Sequence, residues 1–243
     1  MDWLDRSRIL FGKEGIEKLK NSRVLLLGVG GVGGHVAETL ARSGVGHLTL
    51  VDPDDVSLTN LNRQIVALQS TLGKNKASVM AERLRDINPE IDVAAIPLFL
   101  LPETADKLDY SSFDYIIDAI DTMAGKICLV QAAKEHQIPL ISAMGAGNKK
   151  EPMGFLVSDL AKTDTCPLAR SFRRECRKIG ISHLTVVYSK EPAATPLWQE
   201  GEETKETGRP VCGSLAFVPA AMGLTIAARV IEDLIADSGT VPH

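Results

Sequence analysis

Between residues 28 and 121 the chain carries a spaced set of side chains suited to phosphate chemistry. A glycine cluster, "GVGGVGG", places Gly28, Gly30, Gly31, Gly33 and Gly34 in one short stretch, and Asp52, Asn60, Arg63, Lys76 and Asp121 follow it. Glycines allow a tight turn and close backbone approach, and a helix N-terminus behind them favours phosphate. An acidic side chain such as Asp52, at the end of the next strand, can accept ribose hydroxyls; a turn or cap is its plainer use. Asn60, Arg63 and Lys76 add an amide and two cations, which suit a triphosphate better than a pyrophosphate. Asp121 would then offer a hard oxygen ligand for magnesium. A nicotinamide oxidoreductase shares the glycine loop but leaves Asn60, Arg63 and Lys76 unexplained. As isolated residues, Arg63 and Lys76 could equally be solvated surface charges.

These residues need elements that bring them together. Residues 23–28 are a continuous apolar run ending in glycine, the mark of a strand buried on both faces of a parallel sheet. A helix over 34–43 follows, with Val36, Ala37 and Leu40 inward, then a strand over 47–52. The spacing of Val79, Met80, Leu84 and Ile87 predicts a helix over 74–89, stopped by Pro89. Further strands are predicted at 92–100, interrupted by Pro97, at 113–121 and at 138–145, with a helix over about 124–136. The alternation predicts an α/β fold with a doubly wound, mostly parallel sheet and a smaller C-terminal lobe. Its strand carboxyl ends would gather the residues named above.

The second half changes character after about Gly147. Short strands, a basic helix and a polar loop near 189–212, expected to be mobile or ordered by a partner, are predicted there. "CPLARSFRRECRKIG" reads as a helix with Pro167 near its start and Gly180 beyond its end. Leu168, Phe172, Cys176 and Ile179 form its apolar stripe. Arg170, Arg173, Arg174, Arg177 and Lys178 occupy the other side, as a footprint for nucleic-acid phosphates or as a solvated face. Lys149 and Lys150 would extend that patch.

The composition bounds the rest. The 243 residues carry a net charge of −4, so any polyanion site must be local. Cys128, Cys166, Cys176 and Cys212 form no C-x-x-C pair, so a four-thiolate zinc site is not indicated. The opening "MDWLDRSRIL" has charges where a secretion signal has its apolar core, so a reducing cytoplasm is expected. The apolar run 214–236 is long enough for a bilayer span, but Pro219, Gly223 and Arg229 interrupt it and Glu232 and Asp233 close it. A buried helix is the expectation, a membrane anchor the alternative.

"GVGGVGG", "VDPDDVSLTNLNRQ", "GKNK" and "DAIDT" together resemble the adenylating enzymes related to the ubiquitin-activating enzymes and to the molybdopterin- and thiamine-pathway adenylyltransferases. The likeness runs from about Arg6 to Gly147 and implies a Rossmann-like adenylating fold, with 1–147 as an ATP-binding core and 148–243 as a substrate-binding part packed on it. It implies ATP and Mg2+ as cofactors, Asp52 on the ribose, Asn60, Arg63 and Lys76 on the phosphates, and Asp121 on magnesium. It also implies a homodimer in which Arg6 or Arg8 reaches the partner's site. "GKNK" departs slightly, since relatives often have Pro before the lysine.

Further segments, "AMGAGNKKEP", "SDLAKTDTCPLARSFRRECRK" and "SLAFVPAAMGL", are similar to the tRNA threonylcarbamoyladenosine dehydratases, extending the resemblance over nearly the whole chain. It implies ATP-dependent, cyclising dehydration of threonylcarbamoyladenosine in tRNA, with tRNA as partner and a sulfur-relay protein as a further candidate. Cys166 and Cys212 could serve such a relay or be incidental. The competing readings are an enzyme activating the C-terminal glycine of a sulfur-carrier or ubiquitin-like protein, and a non-catalytic ATP-binding adaptor.

Overall fold

The structure, a computed structural model, describes residues 2–197 and 212–236. Among these residues seven strands form one sheet: β1 (Arg23–Leu27), β2 (His47–Val51), β3 (Asp92–Ile96), β4 (Tyr115–Asp118), β5 (Leu140–Ala143), β6 (Phe155–Asp159) and β7 (Thr185–Ser189). Their spatial order is β3-β2-β1-β4-β5-β7-β6. All neighbours run parallel except β6, which closes one edge antiparallel to β7. The strands of the second half therefore extend the sheet begun by the first.

Six α-helices of the described residues cover it: α1 (Asp5–Asn21), α2 (Gly33–Arg42), α3 (Lys76–Ile87), α4 (Met123–His136), α5 (Pro167–Lys178) and α6 (Phe217–Ile235). One core forms where α2, α3 and α6 meet the sheet, and a second where α4 and α5 meet its other face. Burial on both faces explains why Val24–Leu27 is an unbroken apolar run, each residue wholly buried. Asn75 caps α3, its Oδ1 accepting the Ser78 N–H at 3.1 Å. The strand predicted over 92–100 ends at Ile96, since Pro97 has no N–H to continue a ladder. The strand predicted over 113–121 stops at Asp118, leaving 119–122 as a turn before α4.

The apolar run 214–236 forms α6, which buries Val218, Met222, Ile226, Val230 and Ile231 against α2 and the sheet, while α1 lies along it. No helix of the described residues is long and apolar enough to cross a membrane. Residues 198–211 of the polar loop, and the behaviour expected of them, lie outside the described residues.

Candidate active site

Chain order reverses between β1 and β4, which pair in parallel with Leu27 opposite Asp118. Loops leaving two such strands diverge to opposite faces and open a crevice at their carboxyl ends. The glycine cluster leaves β1 there, beside the turn that leaves β4. Gly28 has φ of +87°, and a Cβ on it would lie 2.5 Å from the Ala119 carbonyl oxygen. A Cβ on Gly33 would collide with the carbonyl oxygen of Gly28. Both positions therefore demand glycine, and α2 begins at the second of them. Gly30 faces the Gln64 side chain, and Gly31 lies against Pro219 of α6.

Asp52 follows β2 and is buried, with Oδ2 accepting the Val29 N–H at 2.6 Å and Oδ1 the Asp54 N–H at 2.9 Å. It thus braces the glycine loop as well as facing the crevice. Burial pushes its carboxyl above the ordinary aspartate value, against the pull of those two donors and of Lys76. Asn60 is buried, and its Oδ1 accepts the Ser57 N–H at 3.1 Å, fixing the short turn that presents Arg63. Arg63 is half-buried, held by bonds from Nη1 to the Thr59 carbonyl and Asn62 Oδ1, each 2.9 Å. Lys76 opens α3, where a cation opposes the helix dipole, and its buried ammonium is balanced by Asp54 Oδ2 at 2.8 Å. Asp121 is exposed in the turn after β4, with no hydrogen bond or ion pair among the described residues. The five polar residues picked out in the sequence thus hang on the loops at one end of the sheet.

Gln64 ends the same motif, and its residue type alone assigns it no role. It is buried, and among the described residues its Oε1 has no hydrogen-bond partner, so an amide at the glycine loop has unused capacity. A second group is also absent from the sequence expectations. Asp118, Lys126 and Ser142 form a fully buried network just inside the crevice, with Lys126 Nζ 3.0 Å from Asp118 Oδ2 and Ser142 Oγ 2.5 Å from that oxygen. The signal for it is present: an aspartate in a strand buried on both faces requires a partner.

The second half meets this end of the sheet. Asn62 Nδ2 donates to the Ser214 carbonyl at 3.0 Å, and Cys212 lies against Gly147. Asn148, in the left-handed region with φ of 56°, accepts the Ala194 N–H on its carbonyl at 2.7 Å. The same residue donates its own N–H to the Gly213 carbonyl and accepts the Gly213 N–H on Oδ1. Ala194 and Gly213 are thus pinned to a single residue. Cys166 and Cys176 are buried, burial raising the Cys176 thiol to about 11, and Cys212 is exposed.

Two basic residues depart from the sequence expectation. Arg173 turns toward its own fold, with Nη1 donating to the carbonyls of Leu160 and Thr163 and to Thr163 Oγ1 at 3.0, 2.8 and 2.7 Å. Lys149 is buried, its ammonium donating to the Glu191 carbonyl at 2.5 Å, so it does not extend the basic patch. Arg170, Arg174, Arg177 and Lys178 are exposed along α5, and Lys150 is exposed nearby. Glu175 draws Lys178 and Arg174 to itself, at 2.7 and 3.2 Å. At the N-terminus Arg8 is bound to Asp2 at 2.7 Å and to Asp5, and holds the Asp2 carboxyl below the usual range. Arg6 is exposed, with no ion pair among the described residues.

The model of the ThiF family matches residues 4–240. The chain belongs to the ThiF family. It is 44% identical over 242 residues to a tRNA threonylcarbamoyladenosine dehydratase of Bacillus subtilis, covering 96% of this chain and 94% of that protein. Among solved structures it resembles the Escherichia coli tRNA N6-threonylcarbamoyladenosine dehydratase in complex with ATP, with a TM-score of 0.85 and 33% identity over 95% of this chain and 92% of that one. The sulfur carrier protein ThiS adenylyltransferase of Escherichia coli is 38% identical, but over 134 residues, 55% of this chain and 53% of that protein. Family membership agrees with the adenylating fold expected from the glycine, Asn/Arg/Gln and "DAIDT" motifs.

Proposed function

We propose that the protein is an ATP-dependent tRNA-modifying dehydratase that converts threonylcarbamoyladenosine to its cyclic form. One observation carries this reading: likeness to the dehydratases spans both halves of the chain, whereas likeness to the sulfur-carrier adenylyltransferase is confined to about half. The contacts of Ser214 and Cys212 with the nucleotide-end loops add support, since a substrate held by the second half would lie beside those loops.

In the proposed reaction the glycine-loop N–H groups and Asp52 hold the nucleotide, and Arg63 and Lys76 neutralise charge on its phosphates. Lys76 turns from Asp54, or is shared with it, when phosphate arrives. A carboxylate oxygen of the modified adenosine attacks the α-phosphorus, the bond to the bridging oxygen breaks, and pyrophosphate departs. A nucleophile within the same modified base then attacks the activated carbonyl, and AMP leaves with the former carboxylate oxygen. That internal nucleophile makes an enzyme cysteine unnecessary, in keeping with the buried Cys166 and Cys176. Asp121, an exposed carboxylate at the crevice with no partner among the described residues, fits magnesium, which prefers oxygen ligands and often takes only one or two carboxylates from protein. Magnesium held there would draw charge off the phosphates.

The dimer belongs to the same proposal. Trp3, Ile9 and Leu10 are 50%, 82% and 82% exposed on the N-terminal segment, apolar area that a second copy would cover. Arg6 lies among them and is free to reach the partner's nucleotide, while Arg8 is tied to its own protomer, so Arg6 is the better candidate of the two. The tRNA would lie along α5 on Arg170, Arg174, Arg177 and Lys178, and a tRNA substrate is in keeping with a cytoplasmic enzyme.

The deciding experiment incubates the protein with ATP, magnesium and tRNA carrying threonylcarbamoyladenosine, then digests the tRNA in mild, non-nucleophilic buffer for mass spectrometry. Cyclic product with AMP and pyrophosphate is expected. Unchanged substrate from folded protein overturns the reading. Pyrophosphate exchange that depends on a carrier protein and ignores tRNA installs the sulfur-carrier reading in its place.

A further inference from the structure

Asp118 ends β4, three residues before Asp121, and neither it nor Lys126 is exposed at all. The Asp118 carboxylate is fully engaged. Oδ2 accepts from Lys126 Nζ at 3.0 Å and from Ser142 Oγ at 2.5 Å, and Oδ1 accepts the Ile120 N–H at 3.3 Å. Lys126 Nζ also donates to Ser142 Oγ and to the Ala143 carbonyl, at 3.1 and 2.8 Å. Phe172 of α5 lies over the ammonium, 5.6 Å from Nζ to the ring centroid, and shields it from water.

Such a pair is a poor device for stability alone. Two charges lose their hydration on burial, and well-packed apolar side chains of similar volume often hold a fold as well or better. What Asp118 does that an apolar residue could not is bond the backbone of the turn that carries Asp121, while Lys126 and Ser142 fix the direction of the Asp118 carboxylate. Ala119 N–H is fixed by the Leu27 carbonyl at 2.8 Å, Ile120 N–H by Asp118, and the Thr122 carbonyl by the Lys126 N–H at 3.1 Å. Asp118 and Lys126 therefore hold the turn on both sides of Asp121, one through its carboxylate and the other through its backbone, and their side chains lock to each other.

We infer that Asp118, Lys126 and Ser142 are positioning residues that set the direction of the Asp121 carboxylate at the triphosphate end of the crevice. This rests on the reading of Asp121 as the holder of magnesium. Partners that orient a metal-binding side chain commonly change metal affinity or activity by about 10- to 100-fold when removed.

The test uses the double variant Asp118→Leu/Lys126→Met, which removes both charges and keeps volume, and the milder Ser142→Ala. Thermal unfolding and calorimetric binding of ATP without magnesium establish that each is folded and takes nucleotide. Turnover of threonylcarbamoyladenosine tRNA is then followed against magnesium concentration. In the double variant, half-saturating magnesium should rise and kcat should fall, each about 10-fold or more, with KM for tRNA and metal-free ATP binding unchanged. Ser142→Ala should move the same two quantities in the same direction by a smaller factor. A folded double variant with the wild-type magnesium curve and kcat overturns the inference; should it not fold, a wild-type curve from Ser142→Ala overturns it instead. Asp121→Ala separates the two levels. If it keeps wild-type magnesium dependence, the reading of Asp121 itself falls. If it loses that dependence while the double variant keeps it, only the positioning role falls.

Discussion

At the amino ends of β4, β5 and β7 lies a cleft of about 1700 Å3, bordered by α1 and α6. Several of its polar groups are paired with each other: Tyr115 Oη donates to Asp233 at 2.8 Å, Arg229 binds the other oxygen of Asp233 at 2.7 Å, and His183 meets Asp159 at 2.7 Å. At the opposite, carboxyl end of the sheet Lys76 is paired with Asp54, but other polar groups are left without such partners. Among the described residues Asp121 has no side-chain partner and Gln64 Oε1 no hydrogen bond, and Arg63 leans on backbone and a neighbouring amide. Volume marks the first end and unsatisfied chemistry the second. In a fold of this topology the second criterion is the better guide to a ligand-binding end, because diverging loops deliver side chains there that no core packing requires. The same cleft shows what satisfied polarity looks like: burial and Asp233 both push the Tyr115 hydroxyl well above the ordinary tyrosine value, which makes it a structural donor and not an acid–base group.

Substitutions at the two ends sharpen this contrast. The largest effect is expected from Arg63→Ala and Asp121→Ala, each lowering turnover by roughly 10²–10³-fold with little change in melting temperature, as for removal of one group that stabilises transition-state charge. The tRNA digest assay and a thermal melt, run side by side, check it. A large loss of stability with retained turnover at either position would erase the distinction between the ends. Next, Gly33→Ala should cost about 1–3 kcal/mol in stability by denaturant titration, since the added methyl meets the Gly28 carbonyl, and should weaken ATP binding as the loop shifts. Arg170→Glu with Arg177→Glu should raise KM for tRNA and leave ATP binding intact. The salt dependence of tRNA binding should flatten by roughly 0.7–0.9 in log–log slope for each phosphate that the variant no longer neutralises. The smallest effect belongs to the cleft. Tyr115→Phe should lose about 1 kcal/mol of stability, the net value of one hydrogen bond, with turnover unchanged.

The two ends are unequally legible in the sequence. Val24–Leu27, Leu48–Val51 and the 3.6-residue spacing of α3 announce buried strands and an amphipathic helix, and the reversal of strand order then requires the glycine loop and the turn after β4 to be neighbours. Asp52, Asn60, Arg63, Lys76 and Asp121 are readable because each follows a strand or opens a helix at the carboxyl end of the sheet. Helix α1 is not announced: Gly12, with φ of 72°, kinks it, and its apolar residues split between a buried set and an exposed set. Spacing places Arg173 on the polar side of α5, but periodicity does not reveal that carbonyls of Leu160 and Thr163 wait beside it. Lys149 escapes for the same reason, its partner being a backbone carbonyl far along the chain. In "YIIDAID" two aspartates look alike; only the strand ending at Asp118 makes one a buried anchor and leaves the other facing solvent.

The hold of Asn148 on Ala194 and Gly213 is uneven in what it asks of the residue. Of its three bonds, two run through the backbone of Asn148 and one through its side chain. Asn148→Ala would therefore strike a single bond, whereas a proline there would lack the N–H that meets Gly213 and could not take the positive φ of 56°. The junction forgives a lost side chain and not a wrong backbone.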